Sequence, residues 1–468
     1  MTRLSLPTAL LATAACLALA ACAVPLGPGY EIEKQEVLLT YSPEAPQTVR
    51  VRAAYRLKNA GNADLSELDL RLPAQLASQH ANEPIRARVL VEGREAAVRP
   101  KEAPSANGGA AGGAVVTVSF ASPWPQKKKL ALVVEYDLAL PAQLDAFYFD
   151  AGDWFPELVV PDALLAKGRE RADKVDLRLR VPQGWRAISS GRERGSRRVR
   201  PRGGDALREF RFEVKRLDFA PYVVAGQYHE QRFTSAGRTL VFWTLTPQAS
   251  FQSDATNYFQ ALAALENFFG PRRDPRHPTW IVEEGYPRQV GIGPFPHGVL
   301  QPEGKVTPQA AVPSGGDGDM TPLRNRMLFA RLWTAHDASP GDSDSLLENG
   351  LALYASMVTE PSMAAQRTAF IGESCTEQAQ DPRKERDPVF FQALFLHALE
   401  DRIGKENVQH GVRRMIQGMQ GSTYGWNEIR SALEAESGQD LAEMFRTWLG
   451  DGGIPEEFCK KYVKGSDQ

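Results

Sequence analysis

The run Val49-Arg-Val51-Arg-Ala53-Ala-Tyr55-Arg-Leu57 alternates apolar with basic side chains. Only an extended backbone sends successive side chains to opposite faces, so this run predicts a strand with one face in a core and the other in water. The same period recurs in Val175-Asp-Leu177-Arg-Leu179-Arg-Val181 and in Phe210-Arg-Phe212-Glu-Val214. Turn clusters such as Asn59-Ala-Gly61-Asn62 and Pro182-Gln-Gly184 stand between such runs. Period two persists from Tyr30 to Phe233 with no long helical pattern, which makes residues 30–233 an all-β domain. Two inserts interrupt it. Pro104–Gly113 reads as a flexible loop. Arg192–Arg208 holds seven arginines and reads as a solvated hairpin tip, because Gly195, Pro201, Gly203 and Gly204 mark turns. The competing reading of that segment is contact with anionic lipid head groups.

After Thr234 the pattern changes. Arg238–Leu245 and Thr279–Glu284 look like strands, and period 3.6 then dominates. Helices are predicted over Phe251–Phe269, Thr321–Thr334, Asp344–Val358, Pro388–Ile403, Asn407–Met419, Trp426–Glu436 and Asp440–Leu449. Strands followed by helices, without alternation, give a second domain of α+β type over residues 234–457, with 458–468 as a tail.

The first thirty residues point to export. Arg3 precedes an apolar stretch, Leu4–Ala21, that is broken by Pro7 and falls short of the about 20 apolar residues needed to span a bilayer. It ends in Leu19-Ala20-Ala21-Cys22, which resembles the lipobox of bacterial lipoproteins. Residues 1–21 are therefore read as a signal peptide, Cys22 as the acylated residue and 22–29 as a tether. Ala23 follows the anchor, so the resemblance to sorted lipoproteins implies a cell-envelope protein, on the periplasmic face of the outer membrane if the host has one. Without residues 1–21 the chain has 54 basic and 57 acidic side chains, a balance that gives no reason to expect a nucleic-acid partner. Its 43% hydrophobic content is that of a globular protein.

Local motifs name no chemistry. Neither Gly304-Lys305 nor Gly404-Lys405 is followed by the Ser or Thr that a phosphate-binding loop needs for Mg²⁺. Gly291-Ile-Gly293 leads into prolines that would block a dinucleotide-binding helix, and Gly372-Glu-Ser374-Cys-Thr376 lacks the second Gly of a nucleophile elbow. No HExxH is present, and no two of the seven histidines are spaced to share a helical turn. His397, on an apolar helix face, reads as a satisfied core histidine, and Trp333 and Tyr354 as core packing.

The order of parts is more informative. A β domain with Trp154-Phe155-Pro156 closes on Ala220–Tyr228. A strand and a long helix follow, then a Gly-rich segment, two consecutive helices and a tail containing Leu441–Leu449 and Gly453-Ile-Pro455. From Tyr30 to Pro455 this resembles the M1 family of zinc aminopeptidases, or gluzincins. The resemblance implies a saddle-like all-β domain followed by a thermolysin-like, mainly helical domain. It also implies zinc on an HExxH helix, with a third ligand from an Asn-Glu-Gly pattern on the next helix. Here the first helix reads Asn325-Arg-Met-Leu-Phe-Ala-Arg-Leu-Trp333, with neither His nor acid. Asn349 stands where the ligand Glu would be, and Glu348 is rotated from that place by about 100°. Phe295 or a neighbour occupies the place of the carboxylate that holds a substrate's amino terminus, and Val389 that of the transition-state Tyr.

The resemblance thus implies a pseudopeptidase without cofactor, which binds a peptide or an envelope protein. The alternative is an active metallopeptidase with zinc on His336, Asp337 and Glu348. Against it stands the plainer reading of that stretch as a solvated loop with Asp342 or Ser343 capping the next helix. Outside the cytoplasm Cys375 and Cys459 are a candidate disulfide, with Cys375 placed in a loop after the second of these helices. Anchoring gives the first prediction. Cys22→Ser is expected to leave an unprocessed or soluble form, whereas the native chain partitions into detergent; a mature N-terminus at any residue other than 22, read by mass spectrometry, would contradict it.

Overall fold

The computed structural model describes residues 29–42, 48–73, 76, 86–101, 114–140, 145–149, 154–159, 174–201, 205–215, 222–247, 251–273, 277–284, 294–295, 298–302, 321–337, 339–340, 346–380, 387–450 and 454–462. The signal segment and Cys22 lie outside them, as do residues 104–113. The described residues before 144, with those of 149–216 and 220–223, form one compact unit; those of 144–148 and from 224 onward form the other.

The first unit is built of strands β1 (Tyr30–Ser42), β2 (Thr48–Asn59), β3 (Leu65–Arg71), β4 (Arg88–Val91), β5 (Arg94–Glu95), β6 (Ala97–Pro100), β7 (Val115–Trp124) and β8 (Lys129–Ala139). After β9 (Ala146–Phe149) come β10 (Glu157–Leu158), β11 (Lys174–Pro182), β12 (Arg186–Ser189), β13 (Arg192–Val199) and β14 (Leu207–Lys215). An eight-stranded sheet has the order β13-β14-β11-β1-β2-β8-β4-β5, and a four-stranded sheet the order β10-β3-β7-β6. Register follows the alternation. Leu39 faces Val51, Val51 faces Tyr136, and Leu177 faces Phe212, so one face of the large sheet is continuous buried hydrocarbon. A one-residue slip would send the arginines of β2 into that core.

A strap over residues 154–159 joins the two sheets of this unit. The phenol of Tyr55 donates to the Pro156 carbonyl at 2.5 Å, that of Tyr30 to Val159 at 2.8 Å, and that of Tyr136 to Trp154. β10, within the strap, pairs with β3. Burial pushes all three phenols above their ordinary range, so they remain protonated donors.

The arginine-rich segment is part of an exposed hairpin, as expected, but much of it is strand and not tip. Residues 192–199 are strand β13, paired with β14 from Arg192↔Glu213 to Val199↔Leu207. The φ of +120° at Gly195, at an irregularity in this pairing, is taken up within the strand and not at a turn.

In the second unit, β15 (Val223–Gly226) precedes β16 (His229–Ser235) and β17 (Arg238–Thr244), which pair as a hairpin. Ala236 and Gly237 close it with φ of 48° and 78°, the left-handed pair that a tight two-residue turn requires. This sheet therefore begins ahead of the change of period at Thr234. α1 (Gln252–Phe269) crosses over to β18 (Thr279–Glu284), which is parallel to β17, and β19 (Pro294–Phe295) with β20 (Gly298–Pro302) completes the five-stranded sheet. Then come α2 (Thr321–Arg331) with a π-turn over Leu332–Asp337, α3 (Leu347–Thr359), α4 (Ala364–Gln380), α5 (Pro388–Ile403), α6 (Lys405–Gly418) and α7 (Trp426–Ser437). The short helices α8 (Ala442–Phe445) and α9 (Glu456–Cys459) follow. Aromatic pairs bind them: Phe242 stacks on Phe251 at 4.8 Å and Phe269 on Trp333 at 5.7 Å.

Two expectations are corrected here. Cys375 is on helix α4, not in a loop. Ser374 and Thr376 are held in that helix by hydrogen bonds to the carbonyls of Phe370 and Gly372, each 2.8 Å, which also rules out a strand-to-helix elbow. The N-cap of α3 is Leu346 with no side-chain cap bond, so neither Asp342 nor Ser343, both outside the described residues, is its cap residue. Cys375 and Cys459 are disulfide-bonded, with Cα atoms 5.2 Å apart, and tie α4 to α9. The closed loop spans 84 residues, which by chain entropy contributes on the order of 4 kcal/mol.

Candidate functional site

α2 and α3 lie side by side with opposite sense, and a pair of ions marks each end of the contact. Near the start of α2, Arg326 Nε meets Glu360 Oε2, just past the end of α3, at 2.8 Å. At the end of α2, Arg331 Nη2 meets Glu348 Oε1, at the start of α3, at 2.7 Å. Arg326 is buried and Arg331 and Glu348 half-buried, so these charges sit where water screens them poorly. Burial works to raise the Glu360 carboxyl, but hydrogen bonds from Ser362 and the Arg326 charge hold it below its ordinary value. Behind the second pair, Thr334 donates to the Glu348 carbonyl at 3.1 Å, Tyr424 to the Thr334 carbonyl at 2.7 Å, and Trp333 Nε1 to Gly270 at 3.0 Å. On its other side α3 approaches α5 so closely at Gly350 that a Cβ there would lie 2.5 Å from Gln392 Cβ. Only glycine fits.

The remaining sequence-derived positions distribute as follows. Asn349 is half-buried one residue from the Arg331–Glu348 pair. Val389 is in the first turn of α5, its N–H bonded to Asp387 Oδ1 at 2.8 Å, and packs its side chain against the helical core. Phe295 is on β19, where it pairs with Gly298, and its side chain lies outside the described residues. His336 and Asp337 are on the π-turn after α2, and their side chains likewise lie outside them. The structure thus brings together Glu348 and Arg331, a partner that reading the two helices separately does not reveal.

Against solved structures, an M1 zinc metallopeptidase from Deinococcus radiodurans matches at a TM-score of 0.58 and 15% identity, over 92% of this chain and 96% of that one. A mutant of an M1 zinc metallopeptidase from the same organism, bound to a Tyr-Ser-Ala substrate, matches at 0.57 and 14% identity, over 91% and 96%. A two-domain M1 zinc metallopeptidase mutant bound to L-arginine matches at 0.54 and 15% identity, over 94% and 95%. This chain has the two-domain M1 peptidase fold. No protein-family model and no curated protein matches its sequence. At this identity the likeness to the M1 structures is one of fold.

The resemblance read from the sequence would put a zinc site on α2 and α3, and the residues present there do not fit it. From Arg326 to Trp333 the side chains are guanidinium, thioether or apolar. Arg331 adds a positive charge to this face of α2, which disfavours a cation there unless Glu348 gives up the guanidinium. Glu348, the neighbour of Asn349, already has Oε1 on Arg331. Among the described residues no group of three or more His, Cys, Asp or Glu is gathered as a metal site would require.

A second polar cluster is buried within the M1-like helical unit. Tyr354 Oη donates to Glu400 Oε2 at 2.9 Å, Arg367 pairs with the same oxygen at 2.8 Å, and His397 Nδ1 lies 3.8 Å from it. His397 is a core residue, but neither ring nitrogen has a hydrogen-bond partner among the described residues, so it is less satisfied than its sequence context suggests. Tyr354 is more than packing, because its phenol helps to hold the carboxylate. Burial works to raise the Glu400 carboxyl, but the nearby His397 ring, at 3.8 Å and not hydrogen-bonded, and the bonded Arg367 and Tyr354 hold it at about 2. In an unfolded chain it titrates near about 4.3, so this carboxylate stabilises the fold above that pH and the contribution is lost as pH falls toward 2. Glu400→Gln should therefore lower the urea midpoint at neutral pH, with the deficit shrinking from about pH 4.3 downward. A deficit that does not change with pH would contradict the assignment.

Proposed function

We propose that this chain is a lipid-anchored envelope protein whose M1 peptidase fold has been turned from hydrolysis to binding a peptide or a protein partner. The observation that carries the proposal is the ion pair of Arg331 and Glu348 across α2 and α3. A cation supplied by the chain itself balances the carboxylate that a metal would need. With Asn349 as its neighbour and Val389 in α5, the site offers neither a charge-balanced metal ligand set nor a phenol to meet a developing oxyanion.

The alternative zinc site on His336, Asp337 and Glu348 would require Glu348 to leave Arg331, so the ion pair weighs against it. The proposed location is the cell envelope, held by acylated Cys22, on the periplasmic face of the outer membrane if the host has one. The test is elemental analysis of protein purified without chelator, together with turnover of aminoacyl amides and of short peptides. The expected result is zinc far below one per chain and no turnover above the buffer rate. Stoichiometric zinc with turnover abolished by His336→Ala would establish the relocated site instead.

A further inference from the structure

Basic charge is concentrated at one edge of the large sheet. Residues 174–216 contain fourteen Lys and Arg against five Asp and Glu, in a chain of net charge −2. Three strands from this stretch, β13, β14 and β11, lie side by side, with β13 at the sheet edge. Internal ion pairs do not cancel the excess. Buried Glu209 is met by three guanidinium groups, those of Arg180, Arg197 and Arg211. Glu213 takes both Arg194 and Lys174. Arg192, Arg198 and Arg200 are exposed and have no acidic partner among the described residues.

The register shows which end of the sheet is closest to the tether. Gln35 lies beside Val175, Lys174 opposite Lys215, and Arg192 opposite Glu213. The start of β1, where the chain enters the fold, is thus at the same end as Lys34, Lys174, Arg192 and Arg194. An open cleft of about 620 Å³ is found there, with Lys34, Lys174, Arg194 and Arg211 in its wall beside Glu33, Asp176 and Glu213. The eight residues from Cys22 to Tyr30 reach at most roughly 28 Å when fully extended.

We propose that the arginine-rich edge of this sheet docks on the anionic phospholipid head groups of the bilayer to which the chain is tethered. Guanidinium groups match phosphate in a bidentate geometry, and strands lying side by side offer a broad array of them. The tether brings the Arg192 end of that edge within reach of the bilayer, and β13 laid along the surface would bring Arg198 and Arg200, at its far end, into contact as well; this part of the argument rests on the reading of Cys22. A charged edge strand also guards a sheet against aggregation, and that role alone would give no response to lipid.

The test reconstitutes the native protein in vesicles of neutral phosphatidylcholine and in vesicles rich in phosphatidylglycerol, and measures amide exchange over residues 192–215. Each arginine near an anionic surface is worth roughly a fivefold change in partition, so docking by three of them slows exchange by up to roughly 100-fold. The expected result is protection in anionic vesicles only, reversed by high salt and by the combined Arg192→Glu, Arg198→Glu and Arg200→Glu variant. Equal exchange in both vesicles would overturn the proposal, as would protection by a soluble polyanion but not by anionic vesicles. Failure to float with neutral vesicles would count against the anchor alone, because salt-sensitive binding to anionic vesicles would still uphold the docking face.

Discussion

A guanidinium and a carboxylate meet at 2.7 Å where the end of α2 passes the start of α3, and the character of the site follows from that contact. Both groups are half-buried, so each is costly to leave without the other. Their pairing balances the Glu348 carboxylate from within the chain. Here α2 lacks the ligands, Asn349 is neutral, and Glu348 is satisfied within the protein.

The rest of the helical unit is stabilised independently of that pair. Arg326 with Glu360 fixes the other end of the same helix contact, and Gly350 sets how closely α3 and α5 approach. Glu400 draws Arg367 from α4, Tyr354 from α3 and His397 from its own helix to one carboxylate, while the Cys375–Cys459 bridge ties α4 to α9. These interactions are covalent, ionic or steric, and none requires a bound ion. A fold braced in this way can dispense with the metal and stay intact.

The fold class was legible in the sequence because two periods are hard to mistake. Val49–Leu57 and Val175–Val181 could only be half-buried strands, and α1 and α5 carry long apolar stripes. α4 escaped notice because Gly372, Ser374, Cys375 and Thr376 are weak helix formers; its tertiary contacts and the bond to α9 outweigh propensity. The arginine-rich strand passed for a turn because Gly195 signals one, whereas in the sheet it marks an irregularity in a ladder. That Asn349 and Val389 stand where the resemblance implies a ligand Glu and a Tyr could be read from the sequence. The Arg331–Glu348 pair could not, since it depends on how two helices set residues 17 apart in sequence side by side. The partners of Glu400 were hidden for the same reason.

The central claim, that this ion pair replaces a metal as the link between α2 and α3, is tested most directly by a double-mutant cycle of Arg331→Met and Glu348→Gln. Native-state hydrogen exchange of the α2 and α3 amides reports the stability of that contact by itself. The account predicts a coupling of about 1–3 kcal/mol, with each single change costing more than its share of the double. Effects that simply add, to within about 0.5 kcal/mol, would contradict it.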